Sequence, residues 1–503
     1  MDEKTKSKTE EVSKAIKAEE TLKSYWYILD IEGNLHELNV ENGEVTGFDF
    51  SSYQNLKKFA QYEMAKKRVY DKEPPHIELM KKLELVDFEP ATDPGNFRYY
   101  PAGRFVKKQL ENYVSRETVK YGGMEVETPI MYSYTHPALK SYLDRFPARH
   151  YIVKSGEKDY FLRFAACFGQ FLMAHDATIS YRNLPLRLYE LSRYSFRREQ
   201  SGELAGIKRL RGFTMPDCHA FVKDFDQGKE EMIKRFELAQ NIMSGIGFSL
   251  PEDFEIGIRF VKSFYEEHKD LAMALIKKWG KPMLLEMWDE RFFYFSMKYE
   301  WNFIDAMDKA SGIVTDQFDV ENAERYNITF TDEDGKKKHP IILHLSPSGA
   351  IERVIYAWLE KVWMEEQNSE KAAMLPVWLS PEQVRILPVA DRHIEFADKL
   401  VKELEAQNIR VGLDDRSLSV PKKVFQSKMA WVPYIIVVGD KEAESGRVPV
   451  VVRSKSKSNE DYKEEMSVDE LVSRIQNETK NMPIELMPIP KNMSKRPIFF
   501  SRA

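Results

Sequence analysis

The sequence predicts an α+β protein, with an antiparallel sheet flanked by helices, a C-terminal α/β domain and a small N-terminal appendage. Short strand-like runs lie at 180–225 and 328–345, and helical stretches rich in aromatic residues occupy 227–310 between them. Strands distributed without regular βαβ alternation favour an antiparallel sheet. After MLPVWLSPEQ, strand and helix patterns alternate from VRILPVA and HIEFADKLVKELEAQ to VPVVVR and VDELVSRIQNE, which indicates a separate α/β domain.

Composition changes divide the chain into four predicted parts. Residues 1–23 are almost all charged or small and polar, which predicts a disordered tail. Residues 24–73 form the appendage, where WYILDIEGNLHEL indicates a hairpin and a helical pattern follows it. Residues 74–373 form the main domain, and 374–503 form the α/β domain with a Pro-rich C-terminal tail.

Within the main domain, FVKKQLENYVSRETVKYGG predicts an amphipathic helix that ends at its two glycines. The following EVETPIMY reads as a strand interrupted by Pro129. Neither GxGxxG nor GxxxxGK[ST] occurs in the sequence, so a dinucleotide-binding fold and a P-loop are not indicated.

Bulk properties exclude several protein classes. The 503 residues are 43% hydrophobic and 31% charged, with no apolar run long enough to cross a membrane and no secretory signal at the N-terminus. Only Cys167 and Cys218 are present, which excludes a disulfide framework and favours a cytoplasmic location. The formal net charge of −5 shows that any RNA contact depends on local basic clusters.

The first candidate site is a cluster of arginines. Arg197 and Glu199 lie in FRRE, and Arg209, Arg211 and Phe213 follow in QSGELAGIKRLRGFT. Guanidinium groups around a glycine-containing loop suit a polyphosphate, and the phenylalanine ring offers a stacking surface for a purine. On spacing alone, a basic surface hairpin explains the same residues.

A second candidate is SGAIER, at the start of the helical run VIYAWLEKVWMEE. An arginine in the first turn of a helix, here Arg353, opposes the helix dipole unless an anion lies nearby. A bound phosphate would provide that anion. A surface arginine paired with a carboxylate is the alternative.

The third candidate is a metal site. Cys167, His219 and His344 are far apart in sequence and have no zinc-finger spacing, so a buried thiol and two buried histidines are the simpler interpretation. In the strand-like FTMPDCHAFV, His219 shares a face with Asp217, whereas Cys218 points to the opposite face.

In consistent order, these segments resemble a class II aminoacyl-tRNA synthetase, and specifically threonyl-tRNA synthetases of archaeal type. EVETPIMY, with Pro129, is similar to the first class II motif, which forms the dimer interface. FRRE with RLRGFTMPDCHAFV resembles the second motif, and SGAIERVIYAW resembles the third. GDKEAESGRVPVVVR resembles the anticodon-binding domain that threonyl, prolyl and histidyl enzymes share.

The resemblance implies an ATP site and a threonine site. Arg197 would bind the α-phosphate, with Glu199 near the adenine, and Arg353 would bind the γ-phosphate. Other residues near the ligands would be Arg209, Arg211, Phe213, Asp217, Lys298 and Gln317. Gly312 stands where bacterial relatives carry a polar residue. Glu442 and Arg453 would contact the anticodon, and Arg453 is offset by two residues from the arginine of the family pattern.

The resemblance also makes Cys167, His219 and His344 the ligands of one Zn²⁺ per subunit, with Mg²⁺ accompanying ATP. Zinc with an open position would bind the threonine amine and hydroxyl, and valine lacks the hydroxyl. Serine retains it, so hydrolytic editing is needed. Fewer than 80 residues precede the catalytic match, so we expect that editing requires a separate protein. The implied partners are tRNA(Thr), ATP, L-threonine and a second subunit.

Two other functions fit parts of the pattern. Another class II enzyme, such as a seryl or prolyl synthetase, would differ in the zinc ligands and Asp217. A non-catalytic tRNA-binding paralogue would not need the combination of Arg197, Glu199, Phe213 and Arg353. A zinc hydrolase is less consistent with the sequence, because no general base stands beside the three ligands as in HExxH.

Overall fold

The computed structural model describes residues 23–65, 73–143 and 150–499. The predicted disordered tail therefore lies almost entirely outside the described residues. Contacts group the chain into two compact units, one of residues 1–71 and 114–354 and one of residues 72–113 and 355–503. The domain ranges inferred from the sequence stay a prediction.

A ten-stranded sheet dominates the first unit, and most neighbouring strands in it are antiparallel, which confirms the predicted fold class. Two neighbouring pairs are parallel, one in the middle of the sheet and one at its edge. In spatial order the strands are Leu35–Glu37, Tyr25–Leu29, Met283–Trp288, Glu255–Val261, Phe295–Ile304, Ala310–Asp319, Ile341–Leu345, Gly212–Val222, Leu186–Phe196 and Met124–Glu125.

The aromatic-rich region 227–310 contains three of these strands as well as helices, so its helical interpretation was only partly right. The strand Met283–Trp288 is buried along its whole length. A strand buried on both faces has no alternation of polar and apolar residues, and periodicity alone does not separate it from a buried helix.

Helices pack around this sheet. The buried side of Phe225–Ile246 carries Phe236, whose ring meets the rings of Tyr299 and Trp301 at 5.4 and 5.1 Å. The helices that lie wholly in the first unit are Gln54–Ala65, Pro137–Leu143, Cys167–Asp176, Phe225–Ile246, Lys262–Glu267, Lys269–Trp279 and Asn322–Arg325. Two further helices, Pro101–Lys120 and Ile351–Ser369, contribute residues to both units.

The N-terminal hairpin predicted from WYILDIEGNLHEL is present, with Tyr25–Leu29 paired to Leu35–Glu37. It does not stand apart, because Tyr25–Leu29 also pairs with Met283–Trp288 and so extends the large sheet. Smaller sheets complete the unit, with strands Asn39–Glu41, Glu44–Thr46, Met131–Ser133, Tyr151–Ser155, Lys158–Leu162, Ile179–Ser180, Phe330–Thr331 and Lys337–Lys338.

The second unit contains a five-stranded sheet in the order Val411–Leu413, Val384–Pro388, Tyr434–Val438, Arg447–Val452, Lys463–Ser467. The first three strands are parallel and the last two antiparallel, as alternating strands and helices predict. Other elements of the unit are the strands Val86–Phe88 and Phe97–Tyr99 and the helices Pro75–Lys82, Ile394–Ala406, Val420–Met429, Asp440–Ser445 and Val468–Glu478. Among the described residues, no helix is both long and apolar enough to cross a membrane.

Candidate functional site

The site begins where three distant residues converge on one face of the large sheet. His219 and His344 are direct cross-strand partners on Gly212–Val222 and Ile341–Leu345. Cys167 is the first residue of the helix Cys167–Asp176, which packs against that face. The register of the two strands and the packing of the helix against them therefore bring together residues that are 52 to 177 positions apart.

The three donor atoms form a compact triangle. Cys167 Sγ lies 3.2 Å from His219 Nε2 and 3.7 Å from His344 Nδ1, and the two nitrogens are 3.1 Å apart. In the described part of the chain, these three residues form the one group of at least three Cys, His, Asp or Glu side chains whose donor atoms are close enough to bind a single metal ion. All three residues are buried.

The remaining nitrogen of each histidine has a partner that orients the ring. His219 Nδ1 lies 2.8 Å from Gln170 Oε1, and His344 Nε2 lies 2.8 Å from Asp319 Oδ2. A hydrogen donated to each oxygen leaves the other nitrogen's lone pair directed into the triangle. This is the arrangement of outer partners found around metal-binding histidines.

Burial sets the electrostatics of the site. It raises the pKa of the Cys167 thiol well above its usual value and lowers the pKa of the His219 imidazole well below its own. Burial also raises the pKa of Asp217 to about 7, although the amide of Ala166 donates to its carboxylate at 3.4 Å. A cation would relieve the desolvation of the thiolate and the carboxylate.

Cys218 takes no part in this triangle. Its backbone carbonyl accepts a hydrogen bond from Arg235, which lies on the helix Phe225–Ile246 and pairs with Asp316 at 2.8 Å. Alternation along the strand thus separates Cys218 from His219, as the sequence predicts.

The predicted arginine cluster is assembled around Glu199. Its carboxylate accepts from Arg209 at 2.9 Å and pairs with Arg197 Nε at 3.1 Å. Arg211 is buried and donates to the Glu199 carbonyl at 2.9 Å. Arg197 has a side chain that is 46% exposed, so its guanidinium is accessible from outside the cluster.

Phe213 and Arg353 lie on elements joined to this cluster. Phe213 follows Arg211 at the start of the strand Gly212–Val222, where its neighbour Thr214 donates its amide to Glu352 at 3.0 Å. Arg353 donates to the carbonyls of Lys208 and Gly312 at 2.9 and 3.0 Å. These bonds fix the guanidinium in place.

Lys298 and Gln317 are cross-strand partners on Phe295–Ile304 and Ala310–Asp319. The Lys298 ammonium contacts Glu300 at 2.8 Å. Gln317 shares a hydrogen bond with the hydroxyl of Tyr294, whose ring lies 5.5 Å from that of His344. Gln317 is therefore connected to the metal-like cluster through one aromatic side chain.

A buried ion pair ties the segment around Pro129 to this site. Arg163 contacts Glu190 at 2.5 Å and donates to Thr128, and Thr128 Oγ1 donates to Glu190 at 2.8 Å. Thr128 also packs against Gly169, where an added Cβ would lie 2.3 Å from the threonine side chain. The helix that begins at Cys167 therefore needs glycine at this position.

The two residues expected at the anticodon have structural contacts in the second unit. Glu442 caps the helix Asp440–Ser445 by accepting the amide of Gly439 at 2.8 Å. The Arg453 side chain is buried and donates to the carbonyl of Ala373 at 2.6 Å, and burial lowers its pKa to about 10. Their roles toward RNA stay a prediction.

Sequence reasoning missed three residues that support the site: Gln170, Asp319 and Tyr294. Gln170 is three positions after Cys167 on the same helix, a spacing that places two side chains on one face. That spacing was visible in FAACFGQF. Asp319 and Tyr294 have no comparable local signal, because only strand register brings them to the histidine.

Comparison with curated proteins identifies the family. The chain is 53% identical over 494 residues to the threonine–tRNA ligase of Pyrococcus furiosus, covering 98% of this chain and 77% of that protein. The threonine–tRNA ligase of Methanosarcina mazei is 52% identical, and the match covers 98% of this chain and 76% of that protein. The chain belongs to the threonine–tRNA ligase family. This confirms the resemblance and the assignment of the chain as a class II enzyme.

Family models and solved structures agree with this membership in the threonine–tRNA ligases. Residues 151–362 match the class II tRNA synthetase core domain of the G, H, P, S and T enzymes, and residues 383–478 match an anticodon-binding domain. A structure titled as the RNA-binding domain of threonyl-tRNA synthetase from Cryptosporidium parvum matches with a TM-score of 0.68 at 24% identity, covering 84% of this chain and 99% of that one. A structure of prolyl-tRNA synthetase from the same organism matches with a TM-score of 0.62 at 16% sequence identity, covering 80% of this chain and 77% of that one. These two likenesses show the fold alone.

Proposed function

We propose that the chain attaches L-threonine to tRNA(Thr) through a threonyl-adenylate, with Zn²⁺ at Cys167, His219 and His344 selecting the amino acid. The convergence of these three donors supports the proposal most strongly. Family membership accounts for the tRNA-charging activity, and the donor triangle supports the finer assignment.

The donor set fits zinc. Tetrahedral zinc with ordinary bond lengths places two nitrogen ligands roughly 3.3 Å apart and nitrogen and sulfur ligands roughly 3.6 Å apart. The separations here are 3.1 Å between nitrogens and 3.2 and 3.7 Å to sulfur. Two imidazoles and one thiol are also a zinc-preferring set, and three protein ligands leave one position for substrate.

Bound zinc would supply a Lewis-acidic position for the threonine amine and hydroxyl. The chain's own contribution is to orient the two imidazoles through Gln170 and Asp319 and to present the Asp217 carboxylate from the His219 strand. Valine has the size of threonine without the hydroxyl, and an apolar pocket would separate such a pair by only about a hundredfold. Coordination of the hydroxyl enlarges that ratio.

The arginines serve the nucleotide. Arg197 would bind the α-phosphate and Arg353 the γ-phosphate, with Glu199 orienting Arg197 and Mg²⁺ neutralising the remaining phosphate charge. Arg211 and Phe213 complete the nucleotide site in this proposal, and Gln317 lies beside it. The reaction needs positioning and electrostatic stabilisation and no covalent enzyme intermediate.

Pyrophosphate exchange with a panel of amino acids tests the proposal. We expect exchange with threonine, weaker exchange with serine, and about a thousandfold less with valine, because valine lacks the hydroxyl that zinc binds. A strong chelator should abolish threonine exchange, and added zinc should restore it. Full activity after complete zinc removal would refute the metal assignment. Exchange with proline or serine alone would indicate another class II specificity, and no exchange at all would indicate a non-catalytic paralogue.

Serine retains the hydroxyl and lacks only one methyl group, so this site alone would discriminate against it by about 10–200-fold. We propose that clearance of Ser-tRNA(Thr) depends on a separate editing protein, which makes that protein a partner. Incubation of purified Ser-tRNA(Thr) with this chain should leave the ester intact. Rapid hydrolysis by the chain would contradict the proposal.

We also propose a homodimer through the face around Pro129. Apolar side chains here are unusually exposed, including Met124 (50%), Ile130 (42%) and Ile152 (55%), and Met124–Glu125 is an edge strand of the large sheet. Exposed apolar edges favour association. Sedimentation should give a dimer that Ile130→Asp dissociates. Ile31→Asp, at an equally exposed residue of the N-terminal hairpin, should remain dimeric.

A further inference from the structure

A row of charged residues crosses the large sheet and ends at the proposed substrate site. Glu286, Arg259, Lys298 and Gln317 are direct partners on four adjacent strands. Arg259 and Lys298 are therefore two cations opposite each other on one face, an arrangement that is destabilising without neighbouring anions. Carboxylates must neutralise this pair.

Glu300 connects the two cations. Its Oε1 lies 2.8 Å from the Lys298 ammonium, and its Oε2 accepts from Arg259. Although burial alone would raise it, these two cations keep the pKa of Glu300 well below its usual value, so the carboxylate is ionised. Gly312, whose carbonyl accepts from Arg353, lies beside this carboxylate, and an added Cβ would be in ordinary contact with Oε1 at 3.5 Å.

The N-terminal helix Gln54–Ala65 supplies another anion to this row. Its Glu63 contacts Arg259 at 2.7 Å, while Glu286 contacts the same guanidinium at 2.9 Å. The helix is fixed on this face by Phe59, whose ring would lie 3.0 Å from a Cβ added at Gly257. The helix thus packs on the face of the large sheet that carries the charged row.

We propose that Glu300, supported by Arg259 and by Glu63 of the N-terminal helix, is the positioning residue that orients Lys298 toward substrate. One of the three ammonium protons is directed to Glu300, and no other residue of the described chain pairs with this ammonium, so the other two protons are available for a ligand. Glu286 and Glu63 accept from Nε and Nη2 of Arg259, so that Arg259 offers Glu300 its remaining nitrogen, Nη1, and Glu300 keeps its other oxygen for the lysine. This gives the helix Gln54–Ala65 a role in positioning Lys298, and it rests on the proposed role of Lys298.

Pyrophosphate-exchange kinetics test this arrangement. Lys298→Ala first identifies the substrate, threonine or ATP, whose KM the lysine lowers. Glu300→Gln should raise the same KM about tenfold, the ratio for one lost hydrogen bond between charged groups, and Glu63→Gln about threefold. In both variants kcat should change less than KM. Glu300→Asp should raise KM less than Glu300→Gln does. The variant with both Glu300→Gln and Glu63→Gln should have the same KM as Glu300→Gln alone. Glu44→Gln, which removes an exposed pair with Lys57 on the same segment, is the control and should leave both constants unchanged.

The outcomes separate the proposed substrate-binding role of Lys298 from the proposed positioning role of Glu300 and Glu63. If Lys298→Ala changes neither KM, the proposed role of the lysine fails and the inference fails with it. If Lys298→Ala raises a KM while Glu300→Gln and Glu63→Gln lower only the melting temperature, the charged row is structural and the inference alone is overturned. Because Glu63 lies on the helix Gln54–Ala65 and not on a strand of the sheet, its variant should remain folded even if Glu300→Gln does not.

Discussion

Replacing Cys167 with alanine should abolish binding of the proposed zinc ion and lower threonine-dependent pyrophosphate exchange by about a thousandfold, since the ion loses its only anionic protein ligand. Cys167 Sγ lies within 3.7 Å of both histidine donors, and no other thiol of the described chain belongs to the group. Zinc content measured on the purified protein and exchange kinetics check the two effects separately.

Cys218 provides a matched control for this variant. It is also buried, but its strand position directs it away from His219, and burial raises its thiol pKa to about 11. Cys218→Ala should retain zinc and activity, with at most a small loss of stability. Asp319→Asn should give an intermediate effect, about 10–100-fold weaker zinc binding, because it weakens the acceptor that orients His344 and leaves the three proposed metal ligands in place. Equal zinc content in the Cys167 and Cys218 variants would contradict the metal assignment.

Replacing Arg197 with alanine should lower kcat/KM for ATP in the exchange reaction by about a thousandfold, the effect of losing a preorganised charge at the reacting phosphate. The guanidinium is half-exposed and pairs with Glu199 at 3.1 Å, so the fold depends on it little. We expect the melting temperature to change by no more than about 2 °C, because surface substitutions of this kind alter stability only slightly.

The adjacent Arg198 is the control for Arg197. It is exposed and lies in the same basic segment, so Arg198→Ala changes the local charge equally without removing the proposed phosphate ligand. Exchange contains no tRNA, which excludes any effect through RNA binding. A similar loss of exchange in both variants would show that general positive charge, and not a specific contact of Arg197, assists the reaction.

Local patterns predicted much of the architecture. The helix over 101–120 ends before two glycines, the second strand of the site covers FTMPDCHAFV, and Pro129 interrupts EVETPIMY, all as expected. These features depend on neighbouring residues, for which periodicity and turn chemistry are direct signals. The segment RSLSVPKKVFQSKMAW lacks such a signal: it contains the helix Val420–Met429, of which only Lys423 and Ser427 are buried.

Among the site residues, too, some relationships follow from the local sequence and others depend on the tertiary fold. Asp217 and His219 share a face because they are two apart on one strand, and this follows from the sequence without any fold. The partnership of His344 with Asp319 depends on how two strands are aligned, and that of Arg163 with Glu190 joins residues of two different parts of the fold, the end of the strand Lys158–Leu162 and the large sheet. No local pattern encodes such contacts.

The zinc hypothesis shows which site features the sequence predicts and which it does not. The sequence alone determined the fold class and the family, because ordered motifs over most of the chain are specific even when each motif is weak. It also separated Cys218 from the candidate ligands by strand alternation. Only the tertiary structure brought Cys167 to His219 and His344, added Gln170 and Asp319 behind them, and joined the N-terminal helix to Lys298 through Arg259. Those contacts arise from strand register and helix packing, which are properties of the whole chain and not of any segment.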